Sequence, residues 1–238
     1  DPLQDYDFEG SAITSIIDLL AYTTHINALN ANLGLNETFL DTAQFRGSVV
    51  GHARQLGYTP RSSSSAIATI NVTVNNPISN EITLERGHPF RATFGDETYT
   101  FVPLESYTTE NAIFENVKIY QGRFKTAEYV FDVRSGENII IPDKNVDTST
   151  LKVTVFDSRN SPNARTFTEA GLLSTIESDS NVYFLYENHD GLFEIEFGDN
   201  VIGTALSDGN LVRIEYLITE KAEANGASIF TTNTAIGG

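Results

Sequence analysis

The stretch FEIEFGDNVIGTALSDGNLVRIEYLI, from Phe193 to Ile218, gathers Glu194, Glu196, Asp199 and Asp208 between two runs of alternating apolar residues. Paired carboxylates can serve as acid and base in a glycosidase, and oxygen clusters can hold calcium. Alternation argues against both. In a strand Phe193, Ile195 and Phe197 point to one side and Glu194 and Glu196 to the other. Glutamates opposite an apolar row are the usual solvated face of an antiparallel sheet. Asp199 follows a glycine at the strand end, where an Asp side chain accepts hydrogen bonds from its own turn. A hydrolase built on Glu194 and Glu196 is the enzymatic alternative that remains.

A second oxygen-rich run, DKNVDTST, imitates the start of a calcium loop through Asp143, Asn145, Asp147 and Ser149. The loop needs a glycine where Thr148 stands and a closing glutamate where Thr154 stands. An Asx-rich turn before the strand LKVTVF fits better. His25, His52, His88 and His189 are too far apart in sequence to form an HxH or HxxxH ligand pair. There is no GxSxG, no phosphate-binding loop and no GxGxxG. Catalytic, metal-binding and cofactor-binding residues are therefore expected to be none.

Bulk composition narrows the partners. The 238 residues carry 15 Lys and Arg against 32 Asp and Glu, a net charge of −17. Nucleic-acid binders need clustered cations, so nucleic acid is not an expected partner. With no cysteine, disulfides and thiolate metal sites are excluded. No apolar run is long enough to span a membrane, and no signal peptide is visible. The chain begins at Asp1 and contains no methionine, so it reads as a segment of something longer.

The elements that must position these residues fall into two periodicities. SAITSIIDLLAYTTHINALNANLG places Ile13, Ile16, Ile17, Leu20, Ile26, Leu29 and Leu33 at helical spacing, with Ser11 as N-cap and Gly34 as C′ residue. A second helix is expected from Thr42 to Leu56, with Phe45, Val49, Ala53 and Leu56 on one stripe. Together they suggest a helical hairpin too small to bury both stripes by itself. After the polar tract PRSSSS the period becomes two. AIATINVTV alternates through Ala66, Ala68, Ile70, Val72 and Val74. Further strands are expected at 81–85, 98–102, 112–120, 127–133, 151–156, 182–186, 192–197 and 211–218. Turn pairs such as Gly95-Asp96, Asp190-Gly191 and Asp208-Gly209 separate them. FTEAGLLSTIESDS, 167–180, reads as a helical interruption or a loop.

The expected fold is α+β: a helical hairpin over 1–60, a linker at 61–65, a mainly antiparallel β domain over 66–160 and a second β subdomain over 161–238, sandwich or barrel-like. An amphipathic hairpin fused to a β module with no motif-grade site has the character of an assembly component.

The quoted residues also carry a family resemblance. The segment 182–218, followed by Asn225-Gly226-Ala227, resembles the hallmark of baseplate J-like proteins of contractile phage tails, whose core is an FGDG turn followed by a GN-initiated strand. Phe197, Gly198, Asp199, Gly203, Gly209 and Asn210 match it. Asn200 stands where the family has glycine, and Asn tolerates a left-handed backbone best among the other residues. Residues 5–66 and 139–158 are similar to the N-terminal and middle regions of the large wedge proteins of T-even-type phages.

The resemblance implies a structural, non-enzymatic virion protein in the inner baseplate ring around the hub, assembled in the host cytoplasm. It implies self-association and contacts with other baseplate proteins, partly through helices. No small-molecule substrate is expected. Ile13, Ile17, Leu20, Leu29, Phe45 and Val49 are the expected partner-facing helix residues. A non-enzymatic alternative is a carbohydrate-binding or host-adhesion module using the 10 Tyr and 15 Phe as platforms, although the usual Trp is absent.

Overall fold

In the computed structural model, residues 12–58, 60–75, 79, 81–136, 138–171 and 175–237 are described. They fall into two compact units. The first ends at Pro60 and takes in Glu187–Gly191; the second comprises Arg61–Tyr186 and Leu192–Gly238.

The first unit holds α1 (Ala12–Asn36) and α2 (Arg46–Gln55). Helix α1 runs through Gly34, the expected stop. Its carbonyls find partners further on: the Thr38 hydroxyl reaches Gly34 O and Leu35 O, and the Thr42 hydroxyl donates to Asn36 O at 2.7 Å. The Ser11 cap lies outside the described residues. Helix α2 starts at Arg46, not Thr42, because Thr42 is spent on that turn: its amide also bonds Phe39 O at 3.2 Å. Phe45 then takes the N-cap position in an extended conformation without a capping side chain of its own. Glu37 substitutes, accepting from the amides of Gln44 at 2.8 Å and Phe45 at 3.2 Å. Those amides hold the Glu37 carboxyl below its ordinary value, the Gln44 bond contributing most.

Among its described residues the second unit is mainly β, with a short 3-10 helix at Lys221–Ala224. Its first half contains β1 (Ile67–Thr73), β2 (Ile82–Leu84), β3 (Phe90–Phe94), β4 (Glu97–Pro103), β5 (Tyr107–Thr109) and β6 (Ile113–Gln121). They form a four-stranded antiparallel sheet in the order β1-β6-β4-β3, with β2 and β5 as a separate pair. Curled into a half-barrel, this sheet encloses Leu84, Phe101, Val117 and Ile119, each at most 1% exposed. Strand β6 carries an irregularity opposite Ile70 and Val72. Asn116 adopts a φ of 55° there, and its amide is held by the Asn71 side chain at 2.8 Å.

The second half contains β7 (Arg123–Val130), β8 (Ile139–Ile140), β9 (Val146–Phe156), β10 (Ala164–Glu169), β11 (Val182–Glu187), β12 (Phe193–Phe197) and β13 (Leu211–Ile218). They form one sheet ordered β7-β13-β9-β10-β11-β12-β8. The Tyr129 hydroxyl on β7 donates to Ile140 O on β8 at 2.7 Å, bringing the two end strands within one side-chain bond of each other. The result is a nearly closed barrel around Val153, Val155, Ile195, Ile214 and Tyr216. The fold is thus α+β and mainly antiparallel, and the β10–β11 pair runs parallel.

Residue 160 lies within this barrel, between β9 and β10, which pair with each other; the crossing from half-barrel to barrel is at Gly122. Gly122 sits at φ 142°, and a Cβ there would lie 2.6 Å from Ile218 O, so only glycine lets the chain pass. The segment 167–180, expected as helix or loop, opens as the end of β10. Strand β9 likewise begins at Val146, five residues ahead of the expected Leu151. Asp147 is therefore inside a strand, although its side chain still bonds forward to the Ser149 amide at 3.1 Å.

Candidate functional site

The residues of the FGD segment build a turn. Gly198 ends β12 where a Cβ would collide with the backbone of Ile202 and Gly203. Asp199 then accepts from the amides of Ile202 and Val201, both at 2.9 Å, and these two bonds hold its carboxyl below the ordinary value. Asn200 adopts φ 67°, donates its amide to Gly203 O at 2.9 Å and accepts from the Ala205 amide through its side chain. The left-handed conformation that glycine would supply is thus met by Asn, with an added side-chain bond. Gly203, at φ 80°, faces Val182 Cγ2 at 2.8 Å from where a Cβ would stand.

The second glycine turn closes the barrel beside β7. Gly209, at φ 82°, donates to Phe131 O at 2.9 Å. Asn210 is 4% exposed; its side chain accepts from the Ser207 amide at 2.9 Å and donates to Asp157 O at 3.0 Å. Phe197 meets Phe167 edge-on at 5.3 Å. The side chains of Asp199, Asn200 and Asn210 thus bond backbone groups of their own turns and of the neighbouring loop.

The acids singled out for chemistry are dispersed. Glu194 is half-buried and Glu196 exposed, on the outer side of β12. Asp143 accepts from the Tyr216 hydroxyl at 2.6 Å and from Lys125 Nζ at 2.9 Å. Burial opposes its ionisation, but these two partners outweigh it and hold the carboxyl below its usual range. Asp147 binds the Ser65 amide and Ser149. Among the described residues, no group of three His, Asp or Glu side chains is placed to hold a metal ion. His88 is buried against Phe90 and bonds the Thr232 hydroxyl at 2.9 Å, burial lowering its pKa; His52 bonds Glu37 O.

The helices present a different kind of surface. No residue of α1 is buried. Ile17, Leu20 and Leu29 are about half exposed or more, at 52%, 60% and 48%, as is Phe45 at 61%. Ile13 and Val49 are half-buried, while Val50, the next residue, is the one α2 buries. Sequence periodicity did not single out Val50, because a ten-residue helix offers too few turns to fix the phase of a stripe. Within the same unit Arg46 makes a two-pronged pair with Glu187, Nε and an Nη each at 2.8 Å, and the Glu187 side chain is only 2% exposed. No helix of the described residues is long and apolar enough to cross a membrane.

Helix α1 thus carries apolar side chains with no residue buried, and the motif side chains named above bond backbone groups. Two comparisons with known proteins bear on this arrangement. Residues 1–58 match the helical domain of the baseplate wedge protein gp6-like family. The chain is 35% identical, over 252 aligned positions and 95% of its own length, to the baseplate wedge protein gp6 of Enterobacteria phage T4. It spans 37% of that relative's length. These matches support a baseplate wedge-like protein.

Proposed function

We propose that this chain is a structural part of a contractile-tail baseplate, held in the wedge by its own copies and by neighbouring tail proteins. The observation that carries the reading is α1: a helix of 25 residues with apolar side chains along it and none buried. Exposing that much apolar surface is costly, and a partner helix or bundle would remove it from water. The similarity to a wedge protein supports a place in the virion tail baseplate. Assembly in the host cytoplasm belongs to the same reading, which assigns no catalytic role. The FGD and Gly209-Asn210 turns keep the barrel rigid, so that contacts made elsewhere act on a stiff body.

The test is co-purification of the full-length protein with other tail components, with and without Leu20→Asp and Leu29→Asp. Loss of partners in the double variant, with the β signal in circular dichroism unchanged, is the expected result. Undiminished capture would remove α1 from the interface.

A further inference from the structure

We propose that the segment 225–237 is a strap across the half-barrel that acid releases, with His88 as its latch. The device is independent of the helical contacts proposed above. After β13 the chain turns at Lys221, where φ is 63°, and re-enters the half-barrel core at Ala224, which is 2% exposed. From there it lies over the apolar interior. Ala227, Phe230 and Ile236 pack against that core, and Phe230 meets Phe101 edge-on at 5.0 Å.

The polar bonds that tie the strap to the sheet cluster at two adjacent residues. Thr231 exchanges both backbone bonds with Arg91 on β3, at 2.7 and 2.9 Å, as an isolated bridge and not as a ladder. Thr232 shares a hydrogen bond between its hydroxyl and His88 Nε2 at 2.9 Å. Packing beside them is incomplete: a cavity of about 450 Å³ is lined by residues 70–73, Phe90, Ser228, Phe230 and Thr232. A segment tied at one bridge and one side chain, with a void along its flank, opens at lower cost than the β1–β6 ladder next to it.

His88 makes that opening respond to pH. The ring lies against Phe90 at 5.2 Å and its partner on the strap is a neutral hydroxyl. Residues 225–237, β1 and β2 carry no ionisable side chain. On the loop that holds His88, Glu85 accepts from the Ser106 hydroxyl and Arg86 pairs with Glu215. Arg91 on β3, Glu97 on β4, Glu105 beyond it, and Glu115 and Lys118 on β6 are all exposed. The phenols Tyr99, Tyr107 and Tyr120 of β4, β5 and β6 stay neutral in acid. Burial is therefore the cause acting on the ring, and it holds the imidazole below its ordinary value. Opening the strap returns the ring to water and to a pKa near 6.5. A base whose pKa is depressed in the closed form supports closure fully above the ordinary value. That support declines as pH falls below 6.5 and levels off below the closed-state value. Acid thus shifts the strap toward the open form and uncovers the Phe101 ring.

The experiment is amide hydrogen exchange by NMR on the 238-residue chain at about pH 7.5 and about pH 5.5, corrected for the intrinsic change in exchange rate. The Arg91 and Thr231 amides report the strap; the Gln121 and Ile141 amides, bonded to Ala66 O and Phe193 O, are the reference. Acidification should lower protection of the two reporters at least about threefold relative to the reference. His88→Gln keeps a neutral hydrogen-bonding side chain and should leave the reporters protected at both pH values. A titration of the His88 ring protons in the unaltered chain should give a pKa below 6.5. If His88→Gln does not fold, the reporters and this titration decide. The proposal is overturned if reporters and reference lose protection together, or if the reporters are unprotected at both pH values. It is overturned as well if the pH response survives in His88→Gln, or if His88 titrates at its ordinary value.

Discussion

At the scale of single residues, the carboxylates of Asp143, Asp147 and Asp199 are taken up by structural bonds and the glycines set the turns. Two glycines in the motif region separate the causes. Gly209 has φ 82° but open space around it, so Gly209→Ala meets only the backbone strain of a left-handed residue, about 1 to 2 kcal/mol. Gly198→Ala drives a methyl group into the Gly203 carbonyl, where nothing flexible can yield, and should cost distinctly more. Urea midpoints at constant slope will rank them; an equal loss at both would mean the loop relaxes freely. Asp143 offers a pH test. Its pKa is depressed in the folded state, so its contribution is full above the unfolded value near 3.8 and is lost as pH falls through the lower folded value. Tyr216→Phe removes its hydroxyl partner and should cost about 1 to 3 kcal/mol at neutral pH. It should also flatten the acid limb of the stability curve, because the folded and unfolded pKa values move together. Denaturant melts at pH 7 and at a series of pH values below 3.8 give both readings.

At the scale of elements, what was legible followed the strength of each local pattern. Helix α1 and the strands β6, β11, β12 and β13 were readable because their apolar periods are long or their turns are marked by glycine. Strands β3 and β10 were not: FRATF is only five residues long and ARTFTE buries a single apolar residue, Phe167, so the hairpin and the neighbouring strands fix them, not their own pattern. The parallel β10–β11 pairing depends on the 170–181 connection, which carries no hairpin signal. The start of α2 depends on Glu37, which reaches the amides of Gln44 and Phe45 from the end of the preceding helix; a capping box looks for its acid within the same turn. The motif turn was legible down to Asn200, since glycine and asparagine at a strand end announce a left-handed residue. That β1 ends its sheet was not, because an edge becomes an edge only through the tertiary order of strands.

A further element-scale consequence concerns Arg46 and Glu187. The arginine is largely exposed but its carboxylate partner is not, so removing the two members of the pair has unequal effects. Arg46→Ala leaves a buried, unpaired charge and should cost about 3 kcal/mol, whereas Glu187→Gln loses the pair without stranding a charge and should cost less. Thermal unfolding of both variants checks the order; a larger loss for Glu187→Gln would mean that water already reaches the carboxylate.

At the scale of the whole molecule, the two dominant quantities oppose each other. A net charge of −17 opposes contact between copies, while burying the exposed apolar row of α1 would favour it. Repulsion between exposed charges is screened over about 10 Å at 0.1 M salt and about 3 Å at 1 M, whereas burial of apolar surface is not weakened by salt. Any self-association through α1 should therefore tighten as sodium chloride is raised from about 50 mM to about 500 mM. An interface held by ion pairs would loosen instead. Sedimentation equilibrium at several concentrations distinguishes the two, and Leu20→Asp with Leu29→Asp supplies the control: it should abolish association at every salt level, because it adds charge where the row must be dry. Association that survives the double variant with its salt dependence intact would place the contact outside α1.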